Sequence, residues 1–282
     1  MVGVKHEGLS YEDYSALEGV NWSRLREMRK SPLHFRYALQ HPRDDEAKHF
    51  RIGSITHAYL LEPATVEARF AVWTGKVRNG KVWDAFKAEH AHQTILSAKE
   101  MDLGIGAAKA ILAHTIAGRI LEGGMREASF TWVDRETSMK ARARIDHARL
   151  HLTEVKTGAR LAQRLFENAA TQIGYHGQVA YYQDGLRENG VDVHPEPKII
   201  AVESAPPHDV VVFTLPAPVV EAGRTLYRGL LKKLAHCIET DTWPGRAPEE
   251  LTFTLPMWAL DDEDDDLSYA DDPDWVSGDD AP

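Results

Sequence analysis

Cysteine is nearly absent from this sequence. Cys237 is the single cysteine among 282 residues. One thiol cannot form an internal disulfide, and it cannot supply the four thiolates that hold an iron–sulfur cluster. The sequence therefore excludes a scaffold held together by disulfides and a redox centre ligated by cysteine.

Long apolar runs are absent as well. No stretch of about 18 consecutive apolar residues occurs, so we expect no membrane span. The first residues, Met1 to Glu7, lack the apolar core of a signal peptide. Hydrophobic residues make up 43% of the chain and charged residues 27%, which is typical of a soluble protein with a sizeable core. We therefore expect a cytoplasmic protein.

Basic residues are missing from the last part of the chain. Residues 261–282 hold ten aspartates and one glutamate without any lysine or arginine, and without these acids the formal net charge would change from −10 to +1. A block of like charge with few apolar residues does not pack, so we expect a disordered acidic tail there. The near-neutral remainder, residues 1–260, is predicted to be one domain that can still carry local basic patches. We divide it into a helical entry segment (1–50), a catalytic core (51–215), and a C-terminal helix with a closing segment (216–260).

Polar and apolar residues alternate between Met139 and Asp146, which predicts a strand with one buried and one polar face. Glu154 and Lys156 share a face of the next predicted strand, while Val155 points to the other side. A tight turn between the two strands would pair them antiparallel and set Asp146 opposite Glu154. Two carboxylates placed in this way lie within reach of one divalent ion.

Other predicted elements follow from the same patterns. Helices are expected over Lys81–Glu100, Gly106–Leu121 and residues 163–189, with a final amphipathic helix that ends near Ile238. Strands are expected at Phe70–Trp73, Glu127–Asp134, Met139–Leu150, His151–Thr157, Lys198–Glu203 and Asp209–Thr214.

The spacing of Asp146, Glu154 and Lys156 resembles the PD-(D/E)xK nuclease superfamily. Gly53–His57 is similar to the GxxxH element of its RecB-like branch, and Gln178–Tyr182 is similar to the QxxxY helix of that branch. These motifs occur in the order that the branch has, and together they are far more specific than any one of them.

The opening of the chain extends this resemblance to the RecE-like, phage-type exonucleases (exodeoxyribonuclease VIII-like). Asn-Trp-Ser-Arg-Leu at residues 21–25 and Ser-Pro-Leu-His-Phe at residues 31–35 are similar to the start of those enzymes. The resemblance runs from about Tyr11 to Trp258. It implies an α/β fold in which a central mixed β-sheet, the restriction-endonuclease-like core, is flanked by helices, with helical additions at the N-terminus.

The resemblance also implies a metal site. It implies Mg²⁺ as the cofactor, with Mn²⁺ able to substitute, held by Asp146, Glu154 and the carbonyl of Val155. Lys156 would position the attacking water and offset charge on the scissile phosphate. Glutamate at position 154 departs from the aspartate that is common in the RecE-like group, but its longer side chain can still ligate Mg²⁺.

Four more residues are candidates for this site, each with an alternative. His57 and Glu127 would complete the metal shell, although a lone histidine on an apolar helix is also typical of a core. Glu127 suits an ordinary strand position equally well. Gln178 and Tyr182 share one helix face and would hold the lysine, the phosphate or the terminal base, although that face also suits packing against the sheet.

Basic and aromatic residues provide candidate DNA contacts. We interpret four basic residues near the predicted metal site as phosphate contacts, with a solvated surface as the alternative: Lys140, Arg142, Arg144 and Arg160. Trp22, Trp73 and Trp83 can stack on bases, although core packing is the interpretation that we favour for any single one of them.

The implied activity is hydrolysis of linear double-stranded DNA from its ends in the 5′→3′ direction. The products would be 3′ single-stranded overhangs for a recombinase or a single-strand annealing protein. The resemblance further implies a homo-oligomeric ring in a bacterial or phage-infected cell. Two alternatives stay open, a protein that binds DNA or a partner without cleavage, and an endonuclease or single-strand exonuclease. The motifs do not distinguish an endonuclease or a single-strand exonuclease from the implied double-strand exonuclease, because the shape of the DNA channel sets the polarity.

Overall fold

Eight strands form the framework of the described part of the chain. The computed structural model describes residues 3–6, 8–41, 48–159, 161–247 and 249–255, so the acidic tail and Arg160 lie outside the described residues. The strands, in chain order, are β1 (Val4–His6), β2 (Phe70–Trp73), β3 (Thr94–Ser97), β4 (Met125–Val133), β5 (Lys140–Ala148), β6 (Leu152–Gly158), β7 (Lys198–Glu203) and β8 (Val210–Thr214).

Helices precede the central strands and connect the later ones. In chain order they are α1 (Tyr11–Ala16), α2 (Trp22–Leu25), α3 (Pro32–Gln40), α4 (Lys48–Leu61), α5 (Val66–Arg69), α6 (Gly80–Glu89), α7 (Ala98–Ala113), α8 (Thr115–Ile120), α9 (Gln163–Ile173), α10 (Tyr175–Glu188) and α11 (Ala217–Thr240). Asn21 and Ser31 cap α2 and α3 through their side-chain oxygens, which gives both opening motifs a structural role.

Six strands form one mixed sheet in the order β1-β4-β5-β6-β7-β8. The pair β6 and β7 is parallel, and the crossover between them runs through α9 and α10; the other neighbours in this sheet are antiparallel. The expected α/β fold with a central mixed sheet is therefore confirmed. The strands β2 and β3 form a separate parallel pair.

Helices cover both faces of the sheet. On one face α10 and α11 enclose a core that includes Phe130, Ile145, Tyr181 and Leu231, all almost fully buried. On the other face α4, α7 and α8 pack against a core that includes Val155 and Ile200. Each buried aliphatic side chain of this kind contributes about 1.5–3 kcal/mol, so the two cores hold the central strands firmly in place. No helix of the described segments is long and apolar enough to cross a bilayer.

The prediction of one helix over residues 163–189 is wrong. Gly174 separates α9 from α10 with a left-handed backbone at φ +87°. Glycine adopts this conformation without steric cost. A side chain at this position would also come within 3.1 Å of the Trp22 ring, so the close approach of α2 favours glycine as well.

The helix predicted over Lys81–Glu100 is wrong as well. The helix α6 ends at Glu89, and β3 lies between it and α7. Ser97 and Glu100 form a capping box that starts α7, a signal present in the sequence as Ser-x-x-Glu. The helix predicted over Gly106–Leu121 is likewise two helices, because His114 ends α7 and caps α8 through its ring nitrogen.

Candidate active site

The main sheet opens between β5 and β6. Among the described residues, two backbone pairs join these strands, His147 with Thr153 and Ala148 with Leu152. The next positions, Asp146 and Glu154, are linked by side chains instead: the backbone N–H of Val155 donates to Asp146 Oδ2 at 2.7 Å, and the N–H of Asp146 donates to Glu154 Oε1 at 3.4 Å. The two predicted carboxylates are therefore neighbours at the point where the strands separate.

Along β5, side chains point alternately to the two faces of the sheet, and this alternation shifts by one residue at the same point. Ile145 and Ala148, three positions apart, both contact the core beneath α10. On the adjacent strand the slip falls at Glu127, whose φ of +46° is uncommon for a residue with a side chain and costs of order 1 kcal/mol. The distortion turns the carboxylates of Glu127 and Asp146 towards α4, so the local strain accompanies a possible ligand set.

His57 on α4 completes this group. Its Nδ1 lies 3.6 Å from Asp146 Oδ1 and 3.9 Å from Glu127 Oε1. One ligand atom from each of the three residues falls within 4.8 Å of the others. Two carboxylates and an imidazole at this spacing fit a divalent cation, with Mn²⁺ more tolerant of the imidazole than Mg²⁺.

The glycine of the GxxxH motif has a packing role here. A Cβ at Gly53 would lie 3.1 Å from Thr157 Oγ1 on β6. Glycine therefore lets α4 approach the strand closely, and His57 follows one helical turn later. The motif thus positions the imidazole over the opening in the sheet.

The charges around His57 shift two pKa values. Burial alone would lower the pKa of His57, but Asp146 and Glu127 outweigh burial and raise the pKa to about 9. Burial alone would raise the pKa of Glu127, yet His57 and Arg144 hold it below its usual range. The negative charge of the two carboxylates thus attracts a positive charge to this point, and a cation that binds there would displace the imidazole proton.

Glu154 lies on the other side of the opening and is 1% exposed. Its Oε2 accepts hydrogen bonds from Lys156 Nζ at 2.9 Å and from Gln178 Nε2 at 3.0 Å. Burial and the neighbouring Asp146 raise the pKa of Glu154 to about 7. Burial would lower the pKa of Lys156, but Glu154 and Asp146 raise it, so the ammonium stays charged.

The helix α10 presents an aromatic and amide face to this lysine and glutamate. Gln178 Nε2 lies 3.2 Å from the hydroxyl of Tyr182, and Lys156 Nζ lies 5.1 Å from the ring centroid of Tyr175. Burial, and then Glu154, raises the pKa of the Tyr182 phenol well above its usual value. The structure therefore places Gln178 beside Glu154 and Tyr182 beside Gln178, and their roles in the reaction stay predictions.

Arg144 and Arg142 have partners within the protein. Arg144 Nε donates to Glu127 at 2.6 Å, and another of its nitrogens donates to Glu62 at 2.8 Å. Arg142 donates to the backbone carbonyls of the α1 segment. Phosphate contact by either guanidinium remains a prediction, whereas the support that Arg144 gives to Glu127 is a role that we did not predict.

Of the other two predicted phosphate contacts, Lys140 and Arg160, the structure describes only Lys140. Lys140 is exposed and forms an ion pair with Glu18. Arg160 lies outside the described residues. The Val155 carbonyl, also predicted as a metal ligand, lies on β6 beside this opening, and its ligand role stays a prediction.

Comparison with known proteins agrees with this geometry. Residues 21–251 match a family described as a PDDEXK-like domain of unknown function (DUF3799). Because the match covers most of the chain, the chain belongs to this family and, through it, to the PD-(D/E)xK superfamily. No curated protein matches the chain.

A solved structure described as a "putative exonuclease" from Eubacterium rectale is similar. The TM-score is 0.63 at 11% identity, and the alignment covers 92% of this chain and 100% of that one. At this identity the likeness shows the shared fold alone. The RecE-like branch suggested by the opening motifs is a finer assignment that neither comparison makes.

Proposed function

We propose that this chain is a divalent-metal-dependent deoxyribonuclease. The observation that carries the proposal is a cluster of three carboxylates, the half-buried Glu127 and the buried Asp146 and Glu154, next to His57 and Lys156 at the opening of the sheet. Several carboxylates that share a buried site favour a bound cation over mutual repulsion. Membership of the PD-(D/E)xK superfamily supports the same reaction class.

In this proposal Asp146, Glu127 and His57 would hold the ion, with Glu154 and the Val155 carbonyl as further ligands. When bound, Mg²⁺ or Mn²⁺ supplies charge neutralisation at the phosphate and a more acidic water. Lys156 Nζ donates a hydrogen bond to the attacking water and offsets the charge that develops on the phosphate oxygens. Gln178 holds the Glu154 carboxylate, and Arg144 holds Glu127, so each acidic side chain keeps one orientation.

The finer part of the proposal is exonucleolytic cleavage of linear duplex DNA in the 5′→3′ direction. Its support is the similarity of the segments around Asn21 and Ser31 to RecE-like exonucleases, together with the exonuclease description of the Eubacterium rectale neighbour. Such an enzyme would leave 3′ overhangs for an annealing protein or a recombinase. Assembly into a ring around DNA belongs to the same proposal.

The test is digestion of DNA that is labelled at defined ends. A linear duplex with a 5′ label, the same duplex with a 3′ label, and a covalently closed circle are incubated with Mg²⁺, with Mn²⁺ and with EDTA. We expect early release of the 5′ label, a resistant circle and no reaction in EDTA. Asp146→Asn, which keeps the side-chain shape, serves as the inactive control.

Other outcomes assign a different activity. Linearisation of the closed circle would identify an endonuclease, and early release of the 3′ label would reverse the proposed direction. Binding without hydrolysis under every metal condition would leave a DNA-binding protein on a nuclease fold and contradict the proposal.

A further inference from the structure

Residues 70–97 form a small unit outside the main sheet, which we call the aromatic module. It consists of β2, α6 and β3, with the two strands paired in parallel. Within the described part of the chain, none of the ten residues of α6 is buried. Helices of soluble domains normally bury one face, so α6 presents an available surface.

Aromatic rings are concentrated on this surface. The ring centroids of Trp73 and Trp83 are 5.2 Å apart, and that of Phe86 lies 5.0 Å from Trp73. All three rings are half-buried, and the guanidinium of Arg78 lies 5.5 Å from the ring centroid of Trp83. Trp22, in contrast, is 2% exposed in the main core, so the three tryptophans that we considered as base-stacking residues fall into two environments.

The charge of the module is positive. Residues 70–97 contain four basic residues and two acidic ones. Lys76, Lys81 and Lys87 are exposed, and none of them forms an ion pair with another residue that the structure describes. Half-buried rings and exposed ammonium groups within one small module match a ligand that has both aromatic bases and phosphates.

The module is anchored on the helix that carries His57. Phe70 and Leu96 pack against Ile55 and Ala58, which point away from His57 on other faces of α4. The module is therefore separated from the candidate metal site by about one helix diameter, roughly 10 Å.

A second anchor links the module to the start of α4. Arg78 of the module and Arg51 of α4 both donate to the buried carboxylate of Glu100. Arg51 precedes Gly53, which lies against β6 beyond the last backbone pair of β5 with β6. The module thus lies on the side where the sheet opens.

We propose that the aromatic module binds single-stranded DNA by stacking bases on Trp83 and Trp73, while Lys81 and Lys87 contact the backbone. Single strands are favoured over duplex because stacking on a side chain requires bases that are not already stacked on both faces. The identity of this strand as a substrate or product rests on the proposed nuclease function. The binding itself does not.

The experiment measures the Kd of the full chain for a fluorescent oligothymidylate in EDTA, where no metal-dependent cleavage proceeds. We expect Trp83→Ala to raise Kd about tenfold, which is within the range for the loss of one stacked base. Trp83→Phe keeps a ring and should recover most of the affinity. The double variant Lys81→Gln/Lys87→Gln should reduce the slope of log Kd against log salt by about 1.4, as expected for two contacts to a single strand.

Trp243→Ala is the matched control. Trp243 is also half-buried and has the guanidinium of Arg36 at 5.6 Å from its ring centroid, but it lies against α3 and outside the module. The Kd of Trp243→Ala for the oligothymidylate should stay within about twofold of the native value. Circular dichroism melting of each variant verifies that the fold is kept.

The inference is overturned if folded Trp83→Ala binds the oligonucleotide as tightly as the native chain, or if duplex of equal length shows the same affinity and the same loss. The two proposals fail separately. If the protein cleaves DNA and Trp83→Ala does not weaken binding, the nuclease function is supported and the binding role of the aromatic module is contradicted. If binding depends on Trp83 but no cleavage occurs, the binding role is supported and the nuclease function is contradicted.

Discussion

Helix α10 takes part in two clusters of charged side chains that differ in how their carboxylates are compensated. Around Asp184, Arg224 donates two hydrogen bonds, at 2.7 and 2.9 Å, and the hydroxyl of Tyr227 donates another at 2.5 Å. Although burial opposes it, Arg224 and Tyr227 lower the pKa of Asp184 below its usual range. We call this group the Asp184 cluster.

At the candidate active site the balance is reversed. Glu154 also accepts side-chain hydrogen bonds, from Lys156 and Gln178, yet burial and Asp146 raise its pKa to about 7. Helix α10 thus carries Asp184, whose surroundings stabilise the charged carboxylate, and contacts Glu154, whose surroundings destabilise it. Carboxylates of the second kind are typical of sites that bind a cation or transfer protons, whereas the first kind is typical of structural ion pairs.

The largest effect expected from this contrast is on catalysis. Lys156→Ala removes the charge that is proposed to face the phosphate and should lower kcat by about a hundredfold to a thousandfold, as losses of preorganised electrostatic groups do. DNA binding should change little, because Lys156 is a single half-buried side chain. Single-turnover digestion of linear duplex measures the rate, and filter binding measures affinity.

Lys232→Ala is the control for this prediction, since Lys232 lies on α11 outside the site and forms an exposed ion pair with Glu136. Its kcat should match the native value. Full activity of Lys156→Ala would contradict the proposed role of the lysine.

The next effect concerns stability, and it should appear at the Asp184 cluster. Asp184→Asn removes the more buried of the two carboxylates that pair with Arg224, while the exposed Glu221 remains. It should lower the free energy of unfolding by about 2 kcal/mol, less than for a fully buried pair because the cluster is partly open to solvent. Urea denaturation measures this loss. Specific activity should stay unchanged, because Asp184 lies apart from the metal site.

The stabilisation that Asp184 provides should depend on pH in a defined direction. Because the folded-state pKa of Asp184 is lowered, its contribution is fully present above the unfolded value of 3.8 and is lost as the pH falls through the folded value. The difference between the native chain and Asp184→Asn should therefore be constant from neutral pH to about pH 5 and shrink below it. A difference that grows as the pH falls would contradict the assignment.

The contrast between the clusters also explains what the sequence could predict. Asp146, Glu154 and Lys156 lie on two strands joined by a short turn, so alternation and spacing were enough to bring them together. Gln178 and Tyr182 followed from helical spacing and the resemblance.

The remaining contacts join residues that are distant along the chain. Arg224 meets Asp184 through the packing of α11 on α10, and Arg144 meets Glu62 through the position of α4. No local period marks such pairs. The distortion at Glu127 was also hidden, because its positive φ depends on the neighbouring strand and on α4 rather than on a glycine in the sequence.

The smallest expected effect is stabilisation by metal. If Mg²⁺ or Mn²⁺ relieves the repulsion among the site carboxylates, it binds the folded state in preference to the unfolded one and raises the melting temperature. At ten times its Kd the ion should add about 1.4 kcal/mol, or roughly 3–6 °C for a domain of this size. Asp146→Asn should lose most of this shift. Ion binding by the acidic residues 261–282 does not change the melting temperature when it is equal in the folded and unfolded states. A chain that ends at Leu260 tests this, because it should show the same shift in melting temperature. An equal shift in native and Asp146→Asn protein would place the ion elsewhere and remove the distinction between the two clusters.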